Sequence, residues 1–172
     1  HQVTVALASE MLLLSGLAKN EQDANSQLQK VLDNGKAAEV FGKMVSALEG
    51  PSDFIENYDY YLEKSEIIRP VYAQQAGFVQ SMDTRALGMT VVKLGGGRMK
   101  ASDPIDYAVG LNNIASIGDK VNAEQPLAMV HARTEAQFSE AEHAIQRAIF
   151  CGTELPKAEI QIHRRIRLQD TQ

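Results

Sequence analysis

The sequence has a single cysteine, Cys151, and with it goes any internal disulfide framework or multi-thiolate metal site; one thiol fits a reducing compartment. Positive charge is also short. Seventeen Lys and Arg stand against 22 Asp and Glu, a net charge of −5, which is the wrong sign for broad binding to a phosphate backbone. Nucleic acid is therefore not an expected partner. Long apolar runs are missing too: the longest, Val3 to Leu14, is interrupted by Thr4, Ser9 and Glu10 and falls short of the roughly 20 residues that cross a bilayer. No charged segment precedes it and no small-residue cleavage site follows, so neither a membrane span nor a secretory signal is expected, and the cytoplasm is the expected location. There is no initiator Met, and the apolar pattern is already running at Val3, which reads as a piece of a longer chain.

What is present is ordinary globular material. Of 172 residues 44% are hydrophobic, 23% charged and 6% aromatic, enough to build a core and too short for much more than one domain plus part of another. The first third has helical spacing. Val3, Leu7, Met11 and Leu14 end at Gly16. Asn20 can cap a second helix carrying Ala24, Leu28, Val31 and Leu32, stopped by Asn34-Gly35. Val40, Phe41, Met44, Val45 and Leu48 make the apolar stripe of a third, closed by Gly50-Pro51. All three stripes are expected to be buried in the whole protein, with the apolar side of the first helix left exposed in a piece of it.

Residues 51–66 read as a connector with one short turn around Phe54 and Ile55. The tyrosines that follow, Tyr58, Tyr60 and Tyr61, could stack on a base, but Glu56, Asp59, Glu63 and Glu66 surround them, and packing is the favoured role. From Ile67 the pattern becomes strand-like, at Ile67 to Tyr72, Gly77 to Val79, Ile105 to Leu111, Pro126 to Ala132 and Ile160 to Ile166. Two helices interrupt these runs. Asp83 caps the first, with Ala86, Leu87, Val91 and Leu94 on one face and Gly95-Gly96-Gly97 at its end. Thr134 and Gln137 have capping-box spacing for the second, whose inner face is Phe138, Ala141, Ile145, Ala148 and Ile149.

Candidate chemistry is sparse. Gly95-Gly96-Gly97-Arg98 with Lys100 has the composition of a phosphate cradle, but it follows a helix instead of opening one, and a helix end presents carbonyls. His1, His131, His143 and His163 show no ligand spacing. Asp103 and Asp106 could form an acid/base pair, though turn roles are commoner. Cys151, treated as a helical continuation two turns past His143, would lie some 12 Å along the axis at about 1.5 Å per residue, too far for a nucleophile and base. Gly118-Asp119-Lys120-Val121 followed by Pro126 to Val130 resembles the Gly-Asp-x-Val turn and strand of biotinyl and lipoyl carriers. That likeness implies a barrel-sandwich topology and offers Lys100 as the only acceptor. A stand-alone binding or carrier module is thus the alternative reading.

Several runs taken together, Leu32 to Gly42, Met82 to Met89, Leu94 to Arg98, Asp106 to Gly110 and Gly118 to Val121, resemble the C-terminal part of bacterial thymidine phosphorylases, within the wider pyrimidine nucleoside phosphorylases. The resemblance implies an α/β fold. Residues 1–50 would be three helices ending a glycosyltransferase-like α/β domain, 51–66 a connector, and 67–172 an α/β-hammerhead, barrel-sandwich-like subdomain. It implies reversible phosphorolysis of thymidine to thymine and 2-deoxy-α-D-ribose 1-phosphate by a cytoplasmic homodimer, with inorganic phosphate as a substrate and no cofactor. The family's phosphate-binding and base-binding motifs lie upstream of the equivalent of His1, on the missing N-terminal part of the same enzyme. No catalytic, substrate-binding, phosphate-binding or metal residue is therefore assigned here, and the piece is expected to be structural and inactive alone.

Overall fold

The computed structural model describes residues 1–157, 162 and 164–166. These divide into two compact units, one of residues 1–61 with 162 and 164–166, the other of residues 62–157.

The first unit is helical. α1 (Gln2–Leu14) ends at Gly16, which has φ +72°. α2 (Glu21–Asp33) starts where the Asn20 side chain accepts the Asp23 amide at 2.9 Å, satisfying one of the free N–H groups of the first turn. α3 (Lys36–Ala47) follows Gly35, whose φ of +78° lets the chain reverse in two residues. α1 packs on α2 and α2 on α3. Ser9 of α1 donates to Asn25 of α2 at 2.6 Å, and Arg165 pairs with Glu10 of α1 and with Glu21 of α2 at 2.8 Å.

Two expectations fail here. The stripe of α3 is not buried, since Val40, Phe41, Met44 and Leu48 all face solvent; α1 is exposed as well, Met11 at 71% and Leu14 at 86%. α1 is apolar nearly all round, so within this unit only a narrow side, at Ser9, finds a neighbour. The supposed connector also holds a helix, α4 (Phe54–Tyr61), kinked at Asn57. Tyr61 belongs to it, stacking on Phe54 at 6.4 Å between centroids and donating its hydroxyl to Asp53 at 2.7 Å. That carboxylate, accepting from Tyr61 and Asn57, is held below the usual aspartate range.

The second unit is mixed α/β, two three-stranded antiparallel sheets with two helices. One sheet has the order β1-β5-β3, from β1 (Ile67–Val71), β5 (Ala128–Ala132) and β3 (Gly110–Asn112); Ile67 faces Ala132, and Gly110 faces His131. Pro70 sits on β1, an edge strand, where its missing donor breaks no ladder. The other has the order β4-β2-β6, from β4 (Lys120–Val121), β2 (Gly77–Met82) and β6 (Ile149–Gly152), with a register shift between Val79 and Ser81. α5 (Thr84–Val91) is capped by Asp83, whose side chain accepts the Ala86 amide at 2.9 Å. α6 (Glu135–Ala148) opens on a full capping box between Thr134 and Gln137. Val71, Val79, Val121, Leu127, Val130 and Ile145 are completely or almost completely buried and form the core with Leu87, Leu94 and Phe138.

Strand expectations need two corrections. The run Ile105 to Leu111 pairs only from Gly110, because Asp106 turns the preceding backbone by accepting the Ala108 amide at 3.0 Å. Ile149 belongs to β6 and not to the helix before it: α6 ends at Ala148, and Ile149 pairs with Met82. Of the run Ile160 to Ile166, residues 160, 161 and 163 lie outside the described residues, and Ile162 and 164–166 are in no strand.

Candidate functional site

Polar structure in the second unit concentrates where α5 ends and α6 begins. α5 widens into a π turn over Val92–Gly96, and Gly95 leaves it at φ +103°. Gly96 is tightly enclosed, since a Cβ there would stand 3.0 Å from Val91 Cγ1 and 3.2 Å from the Val109 carbonyl oxygen. The glycines thus have conformational work in this turn. From Gly97 the chain runs outward and returns at Asp106, whose amide donates to the Gly95 carbonyl at 2.9 Å.

That return is fixed by charge. Arg133, between β5 and α6, donates Nε to Asp106 Oδ2 at 2.8 Å and Nη2 to Oδ1 at 2.9 Å, a two-pronged pairing of planar groups. It also donates to Glu63 at 2.6 Å. Asp106 is held below the usual aspartate range, first by Arg133 and then by the Ala108 amide, and Arg133 is raised by its two carboxylates. Gln137 adds a second tie: its Oε1 accepts the Arg133 and Thr134 amides, both at 3.1 Å, and its Nε2 donates to the Leu94 carbonyl at 3.2 Å. One residue of the α6 cap therefore also closes the end of α5.

The candidates named from sequence are scattered. Asp103 accepts the Met99 and Lys100 amides at 3.1 and 2.8 Å and shapes the loop tip, so it and Asp106 have separate partners and are no acid/base pair. Lys100 sits in a loop following a helix, not on a hairpin between strands as a carrier lysine would. Gly118 (φ +92°) and Asp119 do form the expected turn, with Asp119 Oδ2 accepting the Ser116 amide at 2.7 Å and the chain entering β4. His131 lies on β5, and His143 on α6 has Nδ1 2.6 Å from the Ser139 carbonyl oxygen. His1 directly precedes α1, and His163 lies outside the described residues. Cys151 lies on β6 opposite Val79, so the helical distance to His143 does not apply. It borders a recess of about 190 Å³ with Gln74, Gln75, Gln146 and Phe150, where burial pushes the thiol up. Neutral amides beside a thiol with less thiolate are no nucleophile and base. Among the described residues no three His, Cys, Asp or Glu gather to hold a metal ion, and no helix is long and apolar enough to cross a membrane.

Arg133 was not singled out from sequence. Its partners lie 27 and 70 residues away, and no local spacing announces them. Replacing Asp106 by Asn keeps the shape and removes the charge, so faster hydrogen exchange at the amides of Asp106 and Ala108 is expected, with α6 unchanged. The pH dependence follows from the lowered carboxylate. Its contribution is present above the ordinary aspartate value near 3.8 and is lost as pH falls on through the lower folded value. Exchange at these amides, corrected for intrinsic rate, should be flat from neutral pH down to that region.

Residues 78–151, from β2 to β6, match the family model of the pyrimidine nucleoside phosphorylase C-terminal domain. These residues, β2 to β6 of the α/β unit described above, are thus similar to the C-terminal domain of pyrimidine nucleoside phosphorylases.

Proposed function

We propose that this chain is the C-terminal portion of a thymidine phosphorylase, and that it serves there as a structural part with no activity by itself. The observation that carries the reading is the match over residues 78–151 to the phosphorylase C-terminal domain. The likeness of the run Leu32 to Gly42 and of Met82 to Gly88 to the thymidine-specific members narrows the substrate. On this reading residues 1–50 end the enzyme's large α/β domain, and 67–172 form its hammerhead. The exposed stripes of α1 and α3 support that assignment, because faces so apolar are normally covered by further protein.

The reaction is phosphorolysis. A phosphate oxygen bonds to the anomeric carbon of thymidine as the bond from that carbon to the pyrimidine nitrogen breaks, and the electron pair leaves with thymine, which takes up a proton. Catalysis requires phosphate held in line and donors placed where charge grows on the base. Arg133 of the matched domain is already committed to Asp106 and Glu63. Phosphate and thymidine are bound by the upstream part of the same cytoplasmic polypeptide, which dimerises and needs no cofactor.

An assay of the purified 172-residue chain with thymidine and phosphate is expected to release no thymine. A longer polypeptide containing it should do so, and faster with thymidine than with uridine. Activity of the short chain would overturn the structural role; preference for uridine in the long one would overturn the substrate.

A further inference from the structure

The sequence contains seven asparagines, and only one, Asn34, is followed by glycine. The structure puts this pair at the reversal between α2 and α3. Asn34 Oδ1 accepts the Lys36 amide at 3.1 Å, a turn that bends the carboxamide back across the intervening Gly35 nitrogen. The donated hydrogen bond polarises the carboxamide carbonyl. The start of α3, with its unpaired N–H groups, favours the negative charge that oxygen would gain under attack. The attacking nitrogen is lightly held, since the Gly35 amide reaches the Leu32 carbonyl only at 3.4 Å. Nothing lies within 4 Å of the place a Gly35 Cβ would take. Water reaches the pair, for Asn34 is exposed and borders an open recess of about 580 Å³ with Ser26, Gln29, Lys30 and Asp33.

We propose that Asn34 is a site of spontaneous covalent modification, assisted by this turn. The Gly35 nitrogen bonds to the Asn34 side-chain carbonyl carbon, and the bond from that carbon to the side-chain nitrogen breaks. The amide proton passes through water to the leaving group, which departs as ammonia. One water then opens the cyclic imide at either carbonyl, leaving aspartate or isoaspartate. Aspartate adds a negative charge at the end of α2, and isoaspartate adds a methylene to the backbone between two packed helices.

An internal control comes with the fold. Asn122 makes a related turn, its Oδ1 accepting the Glu124 amide at 2.7 Å and the Gln125 amide at 2.9 Å, but the next residue is Ala123. The test is incubation of the protein at mildly alkaline pH, followed by peptide mass spectrometry. The Asn34 peptide is expected to gain about 1 Da and to split into two chromatographic species. It should convert about tenfold or more faster than Asn122, because glycine leaves its nitrogen open to approach. Gly35→Ala should bring Asn34 down to the rate of Asn122. Conversion of wild-type Asn34 no faster than Asn122, or an unchanged rate in Gly35→Ala, overturns the proposal. So does a rate in the folded protein far below that in concentrated urea, which would mean that the turn protects the pair.

Discussion

Replacing Ile145 by alanine is expected to destabilise the second unit by about 2–5 kcal/mol, the range for truncating a fully buried aliphatic side chain. Ile145 has no solvent exposure and lies on α6, in the core shared with the buried valines of both sheets. Truncation loses the transfer energy of three carbons and leaves a void that two sheets and a helix cannot easily close, because each is fixed by its own hydrogen bonds. For a unit of roughly 100 residues, each kcal/mol shifts the midpoint by about 4–8 °C. A fall on the order of 10 °C or more should therefore appear in thermal unfolding, with lost exchange protection in α6, β2 and β5. Leu14→Ala is the contrast. That side chain is the larger apolar surface to remove from solvent, yet at 86% exposure it changes stability by only about 0.5 kcal/mol or less in this chain. A midpoint for Ile145→Ala near that of wild type would mean the core is not the one described.

The pattern of what the sequence discloses follows from the range of each interaction. The caps at Asn20, Asp83 and Thr134 with Gln137 act over three residues, and all three helices begin where those residues stand. β6 was hidden because Ile149 continues the four-residue spacing of Ala141 and Ile145, so the helical period runs past the true end of α6. β4 has two residues, too few for any alternation to register. α1 is legible as a helix but not in its facing, because a helix apolar on most sides carries no signal of which side its neighbours take. The tie of Arg133 to Asp106 and Glu63 depends on strand order, which brings together positions that no local pattern relates. The glycine run was legible in kind, as a turn, but the π widening that sets it needs the packed backbone to be seen.

Gly77→Ala and Gly88→Ala should move stability in opposite directions, although the chemical change is the same. Gly77 begins β2, the central strand of its sheet, and a Cβ there would overlap the carbonyl oxygen of Gly152 on β6 and stand 3.0 Å from its carbonyl carbon. The obstacle is backbone, with no flexible side chain to swing aside, so β6 must shift or lose its pairing at Phe78 and Gly152. Overpacking of this kind costs about 1–3 kcal/mol, and a backbone obstacle puts the expected loss at the upper end. Gly88 lies within α5, has no positive φ, and a Cβ there meets nothing within 4 Å. Alanine at that position restricts the unfolded chain and suits the helix, a gain of about 0.5–1 kcal/mol. Urea unfolding of the two variants and wild type checks both signs at once. A stable Gly77→Ala would place β6 farther from β2 than their pairing allows, and a destabilised Gly88→Ala would mean that α5 is crowded on the side where the structure leaves open space.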